Sequence, residues 1–105
     1  MRGEVWEAHV PRAGTHPVVI LTINALRIRL SSVTVAVVTG TQGPRSTHIP
    51  LGMEAGLSRY TESYVNATDV HSIPIASCRA RRGLLARVEL MAVEEALKTS
   101  LGLHN

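Results

Sequence analysis

The sequence predicts an α+β domain in which a small, strongly bent sheet or barrel is closed by one amphipathic helix. Three observations carry that expectation. The first two thirds of the chain break into short β-branched or apolar runs separated by glycine and proline turn signals. The last stretch, from Glu89 onward, repeats its apolar residues at helical spacing. The length of 105 residues, with 45% hydrophobic and 18% charged residues, suits one core, so residues 1–105 read as a single domain.

Residues 3–10 form the first expected strand, stopped by Pro11 and the turn residues Ala13 and Gly14. Residues 17–23 form the second, and their unbroken apolar run predicts burial on both faces. Residues 24–30 read as a short helical turn, with Asn24 as N-cap and Leu26 and Leu30 at i, i+4. Residues 32–39 are a β-branched third strand. Two glycines and a proline make residues 40–44 a loop. Thr47, His48 and Ile49 are the centre of a fourth strand that ends at Pro50. Residues 52–61 are polar and irregular, the pattern of a surface connection. Residues 63–73 are extended, with a bend expected near Asn66 and an end at Pro74. A basic cluster at residues 79–82 precedes a short strand over 83–88.

The closing helix is the clearest element. Leu90, Val93, Leu97 and Leu101 share one face, with Ala96 beside them. Glu94 and Lys98 stand at i, i+4 in the favourable order, and Glu89 suits the positive end of the helix dipole. Gly102 follows as the expected C-cap.

Composition narrows the function. Phenylalanine is absent and aromatics make up 3%, so packing rests on Val, Leu, Ile and Ala, and a homodimer that buries further apolar surface is expected. The single Cys78 can form no internal disulfide and offers no cysteine pair for a metal. No charged start followed by a long apolar stretch marks a secretory signal, and the run Val18-Val19-Ile20-Leu21 is far too short to span a bilayer. A cytoplasmic protein without a membrane partner is expected, and the Asn66-Ala67-Thr68 glycosylation match then carries no weight. The net charge of +3 weakly favours an anionic partner. Every permanently charged basic residue except Lys98 is arginine, whose planar fork suits phosphate, although a GC-rich genome produces the same bias.

The five histidines are scattered without zinc-site spacing. There is no nucleophile elbow, no phosphate-binding glycine loop and no cysteine pair, so no cofactor and no metal are expected. What remains is a set of polar residues at strand ends: His16, Asn24, Thr39, Thr41, Arg45 and His48. Singly, each has an ordinary explanation as a cap, a strand end or a solvated loop residue.

Taken in order, the residues resemble the MazF/PemK family of toxin endoribonucleases. Arg2-Gly3-Glu4-Val5-Trp6 matches the family's opening strand. His16-Pro17 followed by the apolar run to Asn24 matches its second strand, and Val35 to Thr39 its third. Thr47-His48-Ile49, Tyr64-Val65-Asn66-Ala67 and the closing helix through Leu103 follow in register, so the likeness covers nearly the whole chain. It implies an SH3-like barrel of the CcdB/MazF kind with a C-terminal helix, acting as a homodimer.

The resemblance further implies metal-independent cleavage of single-stranded RNA at short motifs. The RNA's own 2′-OH attacks the adjacent phosphate, leaving a 2′,3′-cyclic phosphate and a 5′-OH. A cognate antitoxin with a disordered acidic tail would block the groove. The family's catalytic threonine falls on Thr39, and the arginine that precedes the second-strand proline is replaced here by His16. Histidine offers acid–base chemistry near neutral pH but no permanent charge. Arg12, in a loop short for the family, is the alternative source of that charge. Arg12, Asn24, Thr41 and Arg45 are the expected RNA-holding residues. Two other readings stay open. One is a toxin fold that binds RNA or antitoxin without cleaving. The other is a gyrase poison of the CcdB type, whose tryptophan-bearing tail is not matched by Leu101 to Asn105.

Overall fold

The computed structural model describes residues 2–52 and 62–103. Six strands and two helices run in the order β1 (Glu4–Val10), β2 (Gly14–Ile20), α1 (Asn24–Arg29), β3 (Ser32–Thr39), β4 (His48–Pro50), β5 (Tyr64–Pro74), β6 (Cys78–Leu84) and α2 (Arg87–Leu101). A 3₁₀ turn at Ile75–Ser77 links β5 to β6. The expected surface connection lies outside the described residues from position 53 to 61.

All strands join one sheet in the order β4-β5-β3-β2-β1-β6, with every neighbour antiparallel. Strand alternation divides its apolar residues between two faces. On one face Val5, Val19, Ala36, Val38 and Val65 pack with Val93 and Ala96 of α2. On the other, Ala8, Val10, Val18, Ile20, Val33, Val35, Val37 and Ile73 are buried together, with Trp6 and Cys78 packed against them. The α+β barrel-plus-helix expected from the sequence is therefore the observed architecture.

β5 departs from a regular strand where it passes β3. The register jumps from Val37 opposite Asn66 to Ala36 opposite Val70. Three extra residues, an odd number, reverse the inside–outside alternation. Val65 and Ala67 therefore join the helix-side cluster, whereas Ile73 joins the inner one. Asn66 shapes the irregularity: its Oδ1 accepts the Thr68 N–H at 3.0 Å and the Thr68 hydroxyl at 2.6 Å.

Several boundaries move from the expected ones. β2 runs from Gly14 to Ile20 rather than over 17–23, so Pro17 sits inside it. The Ile20 carbonyl accepts from Gly3 on the β1 side, and Leu21 donates to Thr34 on the β3 side. That alternation turns the Pro17 nitrogen toward β3, whose pairing with β2 ends at Val18, so no ladder bond is lost. The basic cluster at 79–82 lies within β6, and Val88 belongs to α2. Asn24 does not cap α1; Ile23 holds the cap position, and Asn24 Oδ1 accepts the Arg2 N–H at 3.2 Å. Glu94 pairs with Arg2 at 2.6 Å rather than with Lys98, which meets Glu95 at 3.3 Å. Leu101 is exposed, while Gly102 caps α2 in the left-handed region at φ 68°.

Candidate active site

His16 and Thr39 come together through strand register. β2 and β3 pair as Val18–Val37, Val19–Ala36 and Ile20–Val35. The pairing ends at Val18, and the same register extended by two positions would bring His16 opposite Thr39. By alternation with Val18 and Val37, both belong to the inner face of the sheet. There they line a cleft of about 250 Å³ together with Pro17, Gly40, Asn66 and Asp69.

The hydrogen bonds orient both groups. His16 Nε2 lies 2.8 Å from the Ala13 carbonyl oxygen. A carbonyl can only accept, so Nε2 carries the proton and the neutral ring keeps its lone pair on Nδ1. Thr39 Oγ1 accepts the Thr41 N–H at 3.1 Å. With its acceptor side engaged, the Thr39 hydroxyl is placed to donate.

The other sequence-expected residues fall around this pair in different ways. Thr41 acts through its backbone N–H on Thr39. Arg12 is exposed on the β1–β2 hairpin with φ 67°, next to the Ala13 carbonyl that holds His16. Arg45 lies on the turn before β4, exposed. The Tyr64 phenol donates to Glu62 Oε2 at 2.9 Å, which raises its pKa; burial adds to the rise and the Arg45 charge opposes it. Tyr64 pairs with Thr39 across β5 and β3. Asn24 does not line the cleft, and its side-chain oxygen is engaged by Arg2.

Two cleft residues escaped the sequence reading as functional groups. The sequence marks Asn66 as a bend and as part of a family-like strand but gives it no site role, although Asn-x-Thr is a turn-forming pattern whose side chain bonds two residues on. Asp69 gave no signal; the three-residue irregularity brings it to the cleft, where its Oδ1 meets His71 Nε2 at 2.6 Å. His48, opposite Asn66, bonds Thr47 Oγ1 through Nδ1 at 2.8 Å and packs beneath Gly43. Among the described residues, no group of three or more His, Cys, Asp or Glu side chains is arranged to hold a metal ion. No described helix is long and apolar enough to cross a membrane.

Residues 1–101 match the family profile of the PemK-like, MazF-like toxins of type II toxin–antitoxin systems. The chain belongs to this family. MazF-family toxins are endoribonucleases and are typically dimeric. Among solved structures, the Mycobacterium tuberculosis toxin MazF-mt6 is 27% identical with a TM-score of 0.87, over 97% of this chain and 99% of that one. A second M. tuberculosis toxin is 28% identical with a TM-score of 0.77, over 91% and 98%. An endoribonuclease in complex with its cognate antitoxin, from a mycobacterial species, shares the fold at a TM-score of 0.88 and 24% identity, over 100% and 97%. A comparison with curated proteins returns no match.

Proposed function

We propose that this MazF-like toxin cleaves single-stranded RNA at short motifs without a metal, using His16 and Thr39. The observation that carries the reading is that these two side chains, from neighbouring strands, line one cleft. His16 Nδ1 takes the proton of the ribose 2′-OH; the O2′–P bond forms as the P–O5′ bond breaks, and solvent protonates the leaving 5′ oxygen. The Thr39 hydroxyl donates to a phosphoryl oxygen as charge builds there. Arg12, exposed beside the cleft residue Ala13, and Arg45, exposed and within electrostatic reach of the Thr39 neighbour Tyr64, supply the permanent positive charge that histidine lacks. Thr41 serves through its backbone, and Asn24 holds the chain's start, so its part in RNA binding is indirect. The active form is a cytoplasmic homodimer, and a cognate antitoxin with a disordered acidic tail neutralises it across the same basic surface.

The test is end-group analysis of RNA incubated with the protein in EDTA. Native protein is expected to leave 2′,3′-cyclic phosphate and 5′-OH ends, and His16→Ala to slow cleavage by roughly a hundredfold or more. Intact RNA across varied sequences, with cleavage gained on His16→Arg, would instead identify a toxin fold that binds without cutting. The histidine at the family's arginine position is what gives that second reading its weight.

A further inference from the structure

Asn66 and Asp69 stand in the cleft without a part in the chemistry above. Their polar atoms are not equivalent. The atom of Asn66 that faces the Thr68 backbone N–H must be its oxygen, since an N–H cannot accept. The Thr68 hydroxyl donates to the same oxygen. The Asn66 amide is thereby pinned, and its NH₂ group is the side left for the cleft. Asp69 is the reverse case. His71 engages Oδ1, so Oδ2 remains as an acceptor at the cleft wall. The floor between the strands is apolar, made by the buried Pro17 and Val37.

A fixed donor and a fixed acceptor above an apolar floor suit the edge and face of one unstacked nucleobase, the form in which single-stranded RNA is read. A carboxylate repels phosphate, so its partner on the nucleotide must be a hydrogen-bond donor. We propose that Asn66 and Asp69 read a base edge that presents a carbonyl oxygen beside an N–H, the pattern of uracil and guanine. Asn66 donates to the carbonyl and Asp69 accepts from the imino N–H. With the base held in that one orientation by its sugar–phosphate attachment at the cleft, cytosine and adenine offer an amino group to Asn66 and a bare ring nitrogen to Asp69, which sets donor against donor and acceptor against acceptor. This rests on the reading of the cleft as an RNA site, but binding tests it independently of cleavage.

Fluorescence anisotropy of uncleavable 2′-O-methyl oligo(U) and oligo(C) isolates the edge, because the two pyrimidines differ little in shape. The native protein is expected to bind oligo(U) about tenfold or more tighter. Asp69→Ala is expected to bring the two affinities within about twofold, and Thr68→Ala, which removes the hydroxyl half of the clamp on the Asn66 amide and leaves the backbone half, to reduce the preference in part. Circular dichroism melting establishes that each variant is folded, and the Thr68 variant keeps both reading residues should Asp69→Ala unfold. Equal native affinity for the two oligomers overturns the proposal, whether or not the protein cuts RNA. A preference that survives in Asp69→Ala, with cleavage slowed equally on all sequences, overturns it as well and assigns Asp69 to proton transfer. Oligo(U) preference without any cleavage sustains the inference while removing the catalytic reading.

Discussion

Thr39→Val is the sharpest probe of the proposed chemistry. Valine keeps the β-branched shape at the end of β3 and removes only the hydroxyl. The Thr41 N–H that bonded it at 3.1 Å is exposed, so water can replace the lost acceptor. The folded state should therefore lose no more than about 1 kcal/mol. The transition state loses a donor aimed at developing charge, which lowers the rate by about a hundred- to a thousandfold. Thr39→Ser, which keeps the donor, should retain most of the rate. Single-turnover cleavage of a labelled single-stranded RNA, paired with thermal melting of each variant, separates the two effects. A Thr39→Val protein that cleaves within about tenfold of native would refute the role given to the hydroxyl.

Two stability predictions accompany it. A Cβ on Gly43 would lie 2.5 Å from the His48 ring, so Gly43→Ala must turn that ring and break its 2.8 Å bond to Thr47. A loss of about 1–3 kcal/mol is expected in urea unfolding, recovered largely by adding His48→Ala. Burial by itself raises the Glu4 carboxyl, but the hydrogen bonds it accepts, including those from Arg81 Nε at 2.7 Å and Trp6 Nε1 at 3.3 Å, outweigh it and hold the group at about 2 instead of 4.5. A lowered folded-state value stabilises the fold above pH 4.5 and loses that contribution as pH falls toward 2. Urea midpoints should fall across that window in the native protein and more shallowly in Glu4→Gln.

The closing helix was legible because its signals are local. The apolar spacing through Val93 and Ala96, the first-turn Glu89 and the Gly102 cap each act within a turn or two of chain. The bounds of β3 are legible for the same reason, since β-branched residues fill most of Ser32 to Thr39 and a glycine follows them. β2 was misplaced because proline reads as a strand boundary, and only the neighbouring strand decides whether its missing N–H matters. The ion pairs were misread likewise: Glu94 turns to Arg2, a residue remote in sequence but adjacent in the fold.

The sequence by itself determined the fold class, the family and the two residues on which the proposed chemistry rests. These follow from patterns carried by contiguous residues, or from an ordered series of short ones. The tertiary structure alone decided that His16 and Thr39 share a cleft, since cross-strand register joins positions 23 residues apart only after β2 and β3 pair. It alone fixed the His16 tautomer, through the Ala13 carbonyl. The entry of Asn66 and Asp69 into the site also waited on the fold, because three inserted residues reverse which side of β5 faces inward. An odd insertion in a strand is invisible until a partner strand defines the register.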